Sequence, residues 1–105
     1  MTNSQKKAVE MIKALVISEF YSDQWEIKKF EITDCGSFLS VIVETGLIND
    51  EGTMAQIFAR DYAHLFIGKR GAITYPVTEN GKWKKKKFHG YTMLEAVCAQ
   101  RKQYE

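Results

Sequence analysis

The spacing of apolar and polar residues along the chain predicts a helix, then a series of strands, then a second helix. Apolar residues recur every three or four positions over residues 8–20, which is the spacing of one buried helix face. Thr2 and Gln5 have the spacing of a capping box, so this helix is expected to begin at about Asn3. It is expected to end near Phe20–Ser22, where the sequence becomes polar.

Two strand-like segments follow the first helix. Trp25–Thr33 is the first, and its Lys28-Lys29 pair indicates a bulge or an exposed stretch. Residues 34–37 have turn chemistry and lead into the second, Phe38–Thr45. The nearly continuous apolar run of this second segment predicts a central strand that is covered on both faces, or packed on one face and partly covered on the other.

The segment Thr53–Val77 has the highest density of strand-forming residues, and the other elements are expected to fold onto it. We expect strands over Met54–Arg60 and Tyr62–Ile67, because these stretches are rich in aromatic and branched residues. A helix over residues 53–67 is the alternative, since three alanines lie four positions apart: Ala55, Ala59 and Ala63.

Two hairpins are predicted after this point. Gly68-Lys69-Arg70-Gly71 is a turn that leads into a strand over Ala72–Val77, and Pro76 indicates that this strand ends at an edge or a bulge, because proline cannot donate to a ladder. Asn80-Gly81 is a strong hairpin signal, so Trp83–His89 is expected to return antiparallel to the preceding strand.

A second helix is predicted at the end of the chain. Thr92 and Glu95 repeat the capping-box spacing, and a helical apolar stripe continues from Met93 to about Gln103. The sequence therefore predicts an α+β fold in one compact domain over residues 1–105, with an N-terminal helix, an antiparallel meander sheet of about five or six strands and a C-terminal helix.

Composition supports a globular protein. The chain has 105 residues, of which 45% are apolar and 12% aromatic, which is enough for a hydrophobic core without disulfides or metals. No apolar run approaches the ~20 residues that span a bilayer, and the N-terminus does not resemble a signal peptide. We expect a cytoplasmic protein without membrane association, in which Cys35 and Cys98 are free thiols.

Charge is distributed unevenly along the chain. The net charge is +2, but residues 1–68 carry six Lys/Arg against ten Asp/Glu, a net charge of −4. Residues 69–105 carry nine Lys/Arg against three Asp/Glu, a net charge of +6. Such a distribution predicts a basic surface on the second half, unless folding interleaves the two halves.

The basic segment 82–89 is the main candidate for a binding site. In a strand, Lys84 and Lys86 point to one side while Lys85 and Lys87 point to the other, so neither side is expected to be buried. Such a strand can lie along a phosphate backbone with its aromatic residues stacking on bases, or it can simply guard a sheet edge. The candidate binding residues are Lys69, Arg70, Lys82, Trp83, Lys84, Lys85, Lys86 and Lys87.

Outside segment 82–89, the sequence gives little support for a metal site, a phosphate-binding motif or a catalytic site. The possible metal ligands Cys35, His64, His89 and Cys98 do not have the spacing of a local chelate, so neither a metal nor another cofactor is expected. The glycines at 68 and 71 do not form a phosphate-binding motif, and no nucleophile is marked by a partner base, so no catalytic activity is expected. Five aromatic residues form either a recognition stripe or, for most of them, core: Phe30, Phe58, Tyr62, Phe66 and Tyr75.

The order helix, antiparallel strands, lysine-rich stretch and helix resembles double-stranded-RNA-binding domains. The chain differs from them in having more strands and in placing its lysines before the last helix, so no family is assigned. In size and uneven charge the chain also resembles phage and mobile-element accessory proteins, including anti-CRISPR inhibitors, although no motif carries this resemblance.

The sequence therefore predicts a non-catalytic binding protein that acts on nucleic-acid-handling machinery, as an accessory protein or an inhibitor bound to a protein or ribonucleoprotein partner. Trp83 is its expected anchor. Direct DNA or RNA binding by segment 82–89 is the alternative, and a structural or self-associating module is the third hypothesis.

Overall fold

The computed structural model describes residues 1–97 and shows one helix packed on a five-stranded sheet. The sheet is an antiparallel meander with the strand order β1-β2-β3-β4-β5. The predicted α+β class with an N-terminal helix is confirmed, and the described part of the chain contains five strands. The elements are α1 (Asn3–Phe20), β1 (Trp25–Asp34), β2 (Phe38–Leu47), α2 (Met54–Phe58), β3 (Asp61–Gly68), β4 (Ile73–Glu79) and β5 (Lys82–Lys87).

The predicted capping box begins α1. The Thr2 hydroxyl accepts a hydrogen bond from the Gln5 N–H at 3.1 Å, and the Gln5 side-chain oxygen accepts one from the Thr2 N–H at 2.9 Å. One stripe of the helix is buried against the sheet, as its apolar spacing predicted. The buried apolar residues of this stripe are Ala8, Val9, Ile12 and Val16.

The sheet has two different faces, because side chains alternate along each strand. The inner face, which packs against α1, contains the buried hydrophobic residues of β2 and β3: Leu39, Val41, Val43, Ala63, Leu65 and Ile67. The outer face is made by the residues between them, which are all half-buried. Of the two arrangements predicted for β2, the one with one face packed and the other partly covered is therefore confirmed.

Strand β1 forms one edge of the sheet. Its pairing with β2 shifts by one residue between Ile27 and Lys29, which confirms a bulge at the lysine pair. Beyond the bulge, Phe30 lies opposite Val43 on the inner face, and the Lys13 ammonium lies 5.7 Å from the centre of its ring.

The expected strand over Met54–Arg60 is wrong. Residues 54–58 form the short helix α2, which agrees with part of the helical alternative, while Tyr62–Ile67 is confirmed as strand within β3. The cause is a capping box: the Thr53 hydroxyl accepts from the Gln56 N–H at 3.3 Å, and the Gln56 side chain accepts from the Thr53 N–H at 3.3 Å. These two bonds satisfy backbone donors that would otherwise be free at a helix start.

The hairpin β4–β5 turns at Asn80-Gly81, as predicted. Both residues have positive φ, 53° and 76°, which a two-residue turn of this type requires. Strand β4 lies inside the sheet, but its pairing with β3 ends at Thr74. Pro76 lies two residues further along, and its missing N–H explains why the ladder with β3 does not continue.

Strand β5 ends at Lys87, two residues earlier than the expected end at His89. Phe88 follows on the inner side, and its ring enters the core, where it is 5% exposed and meets Tyr75 edge to face at 6.4 Å between ring centres. Tyr75 is itself buried, as expected for a core aromatic residue. Burial, together with a hydrogen bond to the Glu95 carboxylate, raises the pKa of Tyr75 to about 12.

Glu19, at the end of α1, caps the C-terminal helical turn. Its carboxylate accepts hydrogen bonds from the Met93 N–H at 3.0 and 3.1 Å and from the Thr92 hydroxyl at 3.0 Å. The capping box expected from Thr92 and Glu95 is therefore wrong in its bonds, because Glu95 accepts instead from the His89 N–H at 3.1 Å. A helix follows over residues 94–97, and its expected continuation to Gln103, with Cys98, lies outside the described residues. No helix in residues 1–97 is long and apolar enough to cross a membrane.

The inner face has one polar defect. Thr45 is 2% exposed, and within residues 1–97 its hydroxyl has no hydrogen-bond partner. Burying an unpartnered hydroxyl costs free energy, so Thr45→Val is expected to raise the free energy of unfolding by about 1 kcal/mol. Urea denaturation measures this change. Thr33→Val, at an exposed position of β1, is the control and is expected to change the free energy of unfolding by less than about 0.5 kcal/mol. A Thr45→Val variant that is less stable than the original protein would contradict this prediction.

Candidate nucleic-acid interface

The side chains of β5 alternate between the two sheet faces, as the sequence predicted. Lys85 lies opposite Pro76 and Lys87 opposite Thr74, so both lysines, with Trp83, project from the outer face. The other three lysines project from the opposite side: Lys82, Lys84 and Lys86. All six residues of β5 are exposed, which confirms that neither side of this strand is buried.

Lys85 reaches back over the sheet to two phenylalanine rings. Its ammonium lies 4.9 Å from the ring centre of Phe38 on β2 and 5.0 Å from that of Phe66 on β3. The two rings contact each other edge to face, with their centres 5.6 Å apart. Both rings are half-buried, so part of each remains open to solvent. The outer face therefore combines two aromatic rings with a positive charge at one point.

A histidine and a serine continue this aromatic surface. The His64 ring lies 4.5 Å from the Phe66 ring, centre to centre, and its Nε2 is hydrogen-bonded to the Ser40 hydroxyl at 2.7 Å. Burial lowers the pKa of His64, so its ring is neutral at pH 7 and the positive charge of this surface comes from lysine. We call these five residues the outer-face cluster: Phe38, Ser40, His64, Phe66 and Lys85.

The turn that carries Lys69 and Arg70 lies at the same end of the sheet as Lys87, because Thr74 at the start of β4 pairs with Lys87. The start of α1 holds this turn: the Thr2 hydroxyl donates to the Lys69 carbonyl at 2.7 Å. Gly71 has a φ of 90°, and a Cβ there would meet the Ser4 carbonyl oxygen at 3.0 Å. Glycine is therefore required at this close approach. The contacts with α1 hold the backbone of the turn, so that its two exposed cationic residues lie at the same end of the sheet as the end of β5.

The β4–β5 hairpin has an excess of positive charge. Over residues 73–87 it carries five lysines and one glutamate, a net charge of +4. Among the described residues, Lys84 is the one lysine of β5 with an ion-pair partner, Glu79 at 3.6 Å, and both side chains are largely exposed. Such an exposed pair contributes little to stability, so the hairpin retains most of its charge for a ligand.

The other end of the outer face is closed by an ion-pair network. The Arg60 guanidinium contacts the Asp50 carboxylate at 2.6 Å and the Glu44 carboxylate at 3.1 Å. Its hydrogen bond to Asp50, with one from the Gly52 N–H, holds the pKa of Asp50 below its ordinary value, and the same Asp50 bond raises the pKa of Arg60. Gly46 leaves room for this side chain, since a Cβ there would lie 3.1 Å from Arg60 Cγ. This end of the face is thus filled, and the end with the outer-face cluster is open.

The structure brings together some of the residues predicted for the site and separates others. Lys85 and Lys87 share the outer face with Trp83, and the Lys69–Arg70 turn lies at the same end. The remaining three lysines lie on the other side of the strand and do not contribute to that face: Lys82, Lys84 and Lys86. Sequence reasoning missed Phe38 and Ser40. It placed Phe66 in a set of five aromatic residues that form either a recognition stripe or, for most of them, core. Phe66 instead shares strand parity with His64, on the face opposite Leu65.

The hydrogen bond between Ser40 and His64 joins two residue types that occur in nucleophilic catalysis. A hydrogen-bonded serine and histidine are the start of a nucleophilic pair, but acyl transfer also needs an orienting group for the histidine and donors placed for an oxyanion. In residues 1–97, no three His, Cys, Asp or Glu side chains are grouped as ligands of a metal ion. What the cluster offers chemically is flat apolar area, a neutral imidazole and a cation.

Fold and surface together define a small α+β domain whose open sheet face is aromatic and basic. The chain matches no protein-family model, no curated protein and no solved structure with which it was compared.

Proposed function

We propose that this protein is a non-catalytic binding protein whose ligand is single-stranded DNA or RNA, held on the outer face of its sheet. The observation that carries the proposal is the position of Lys85 over the rings of Phe38 and Phe66 on a half-exposed sheet face. Nucleobases stack on exposed aromatic rings, and ammonium groups contact the phosphates between them.

Single strands fit this surface better than a duplex. In a duplex the bases are stacked on each other and their flat faces are covered, whereas a single strand presents them to a protein ring. The two phenylalanine rings lie on neighbouring strands, with their centres 5.6 Å apart, and strand β5, which carries Lys85 and Lys87, lies at one border of the face in residues 1–97. On binding, the Lys85 ammonium is expected to move from the two rings to a phosphate, so that bases stack on Phe38 and Phe66 and phosphates lie along Lys85 and Lys87.

The sequence favoured a protein or ribonucleoprotein partner, with direct nucleic-acid binding as the alternative. The aromatic rings beside Lys85 favour direct binding, because lysine alone serves any acidic partner but rings in this position add a surface for bases. A role as an accessory protein or inhibitor of nucleic-acid-handling machinery remains part of the proposal, since a protein that covers single strands restricts their access to such machinery.

A fluorescence-anisotropy titration tests the proposal. The probes are labelled single-stranded DNA and RNA of about 12 nucleotides and a duplex of the same length. Because two to four phosphate contacts release counterions, the affinity for single strands is expected to fall roughly 7- to 50-fold between about 50 mM and about 200 mM salt. The single strands are expected to bind more tightly than the duplex. Equal affinity for duplex and single strand, or no saturable binding at low salt, would overturn the proposal.

A further inference from the structure

In the sheet formed by residues 1–97, strand β5 forms one edge, and the direction of its backbone groups follows from the hairpin. In a two-residue hairpin the residues that flank the turn, Glu79 and Lys82, exchange both backbone hydrogen bonds, and such pairs then alternate along the ladder. At the other end of the strand the Phe88 N–H donates to the Ile73 carbonyl at 2.9 Å, which fits the same alternation. Lys84 and Lys86 therefore bond to β4.

The residues of β5 that alternate with Lys84 and Lys86 direct their backbone N–H and C=O groups away from the sheet. Trp83, Lys85 and Lys87 pair with β4 at the positions that do not exchange backbone bonds, so their N–H and C=O groups point outward along the edge. Three donors and three acceptors at alternate residues are the pattern that an added strand pairs with.

The lysine side chains along this edge determine which charge an added strand must carry. An added strand would have Lys85 and Lys87 beside it on the outer side, and Lys84 and Lys86 beside it on the inner side, so it would meet positive charge on both of its faces. A second copy of β5 would place lysine opposite lysine and be repelled. A strand that carries carboxylates on both faces would be attracted.

We propose that the β5 edge binds an extended, acidic segment of a partner protein by strand addition. The occupant follows from the outward backbone groups, which require an extended chain, and from the net charge of +4 on the β4–β5 hairpin, which requires carboxylates. This second surface shares Lys85 with the outer-face cluster, but it also uses the outward backbone groups of β5 and the lysines on the inner side, which the nucleic-acid proposal does not use. It goes beyond the nucleic-acid proposal and does not depend on it.

The probe is a synthetic peptide of about eight residues in which glutamate alternates with valine and threonine, so that it is extended and acidic. Binding is measured with ¹⁵N-labelled protein by NMR at low salt, and a peptide with lysine in place of glutamate is the control. Saturable binding is expected to slow hydrogen exchange of the Trp83, Lys85 and Lys87 amides, while the amides that bond to β4 change less. This measurement uses the unaltered protein, so it needs no variant to fold.

Two variants separate strand addition from charge attraction. Lys87→Pro removes one outward N–H and Lys87→Ala keeps it, while both lose the same charge; the proline variant is expected to bind the peptide at least about fivefold more weakly than the alanine variant. Lys84→Thr with Lys86→Thr, on the inner side, is expected to weaken peptide binding more than oligonucleotide binding. Unchanged exchange at the three outward amides, or equal binding by the two Lys87 variants when both are folded, would overturn the proposal. The proposal would also be overturned if the threonine variant self-associates and the original protein does not bind the peptide. In that case the lysines of β5 only prevent pairing between sheet edges.

Discussion

Replacing Phe38 and Phe66 together with leucine is expected to weaken the binding of single-stranded oligonucleotides by at least about 30-fold. Base–aromatic stacking contributes ~1–3 kcal/mol per base, and the double variant removes both rings over which the Lys85 ammonium lies. Leucine keeps apolar bulk at two half-buried positions, so the fold is expected to remain intact. Anisotropy titrations of the variant and the original protein at the same salt concentration measure the change.

Phe30→Leu is the matched control for this double variant. Phe30 is also half-buried and also lies under a lysine, with the Lys13 ammonium 5.7 Å from its ring centre, but it lies on the inner face of the sheet. It is expected to leave oligonucleotide affinity unchanged within about twofold, since the proposed ligand lies on the other face. If Phe30→Leu weakens oligonucleotide binding as much as the double variant does, the outer-face cluster is not the binding site.

The second large effect is on stability. Leu65→Ala is expected to lower the free energy of unfolding by about 2–5 kcal/mol, because Leu65 is 0% exposed at the centre of the inner face and its loss leaves a cavity. For a domain of this size, that loss is a large share of the total stability. Urea denaturation followed by circular dichroism measures it.

Phe66→Leu, one position along the chain, provides the comparison. Its side chain lies on the outer face and is half-buried, so its effect on unfolding is expected to be within about 1 kcal/mol while its effect on oligonucleotide binding is large. Neighbouring residues on one strand are thus expected to have separate roles, one in folding and one in binding. A loss of less than about 1 kcal/mol for Leu65→Ala would mean that the inner face is not the core.

Elements with a strong local signal could be predicted from the sequence. The apolar stripe and the capping box at Thr2 and Gln5 determine α1, and Asn80-Gly81 determines the β4–β5 turn, because both signals depend on residues a few positions apart. Residues 54–60 were mispredicted because their composition suits a strand. The capping box at Thr53 and Gln56, with the same spacing as the one at Thr2, was the missed signal.

The outer-face cluster was harder to predict, since it depends on which residues become neighbours across strands. The alternation of lysines in β5 follows from strand geometry alone and was predicted. In β3, His64 and Phe66 alternate with Leu65 and Ile67, so strand geometry alone places the two pairs on opposite faces of the sheet. Applying this alternation to the sequence would have placed Phe66 outside the core. The approach of Lys85 to Phe38 was not predictable, because it requires the register of three hairpins to be known.

The most direct test of the account is to map the nucleic-acid contact by NMR. Uniformly ¹⁵N-labelled protein is titrated with a single-stranded oligonucleotide, and the change in chemical shift is followed for every assigned amide and for the aromatic side chains. The account predicts that the largest changes fall on the outer-face cluster and on Lys87, with small changes along α1. Large changes along α1 and the inner side of β5, with the rings of Phe38 and Phe66 unaffected, would contradict it.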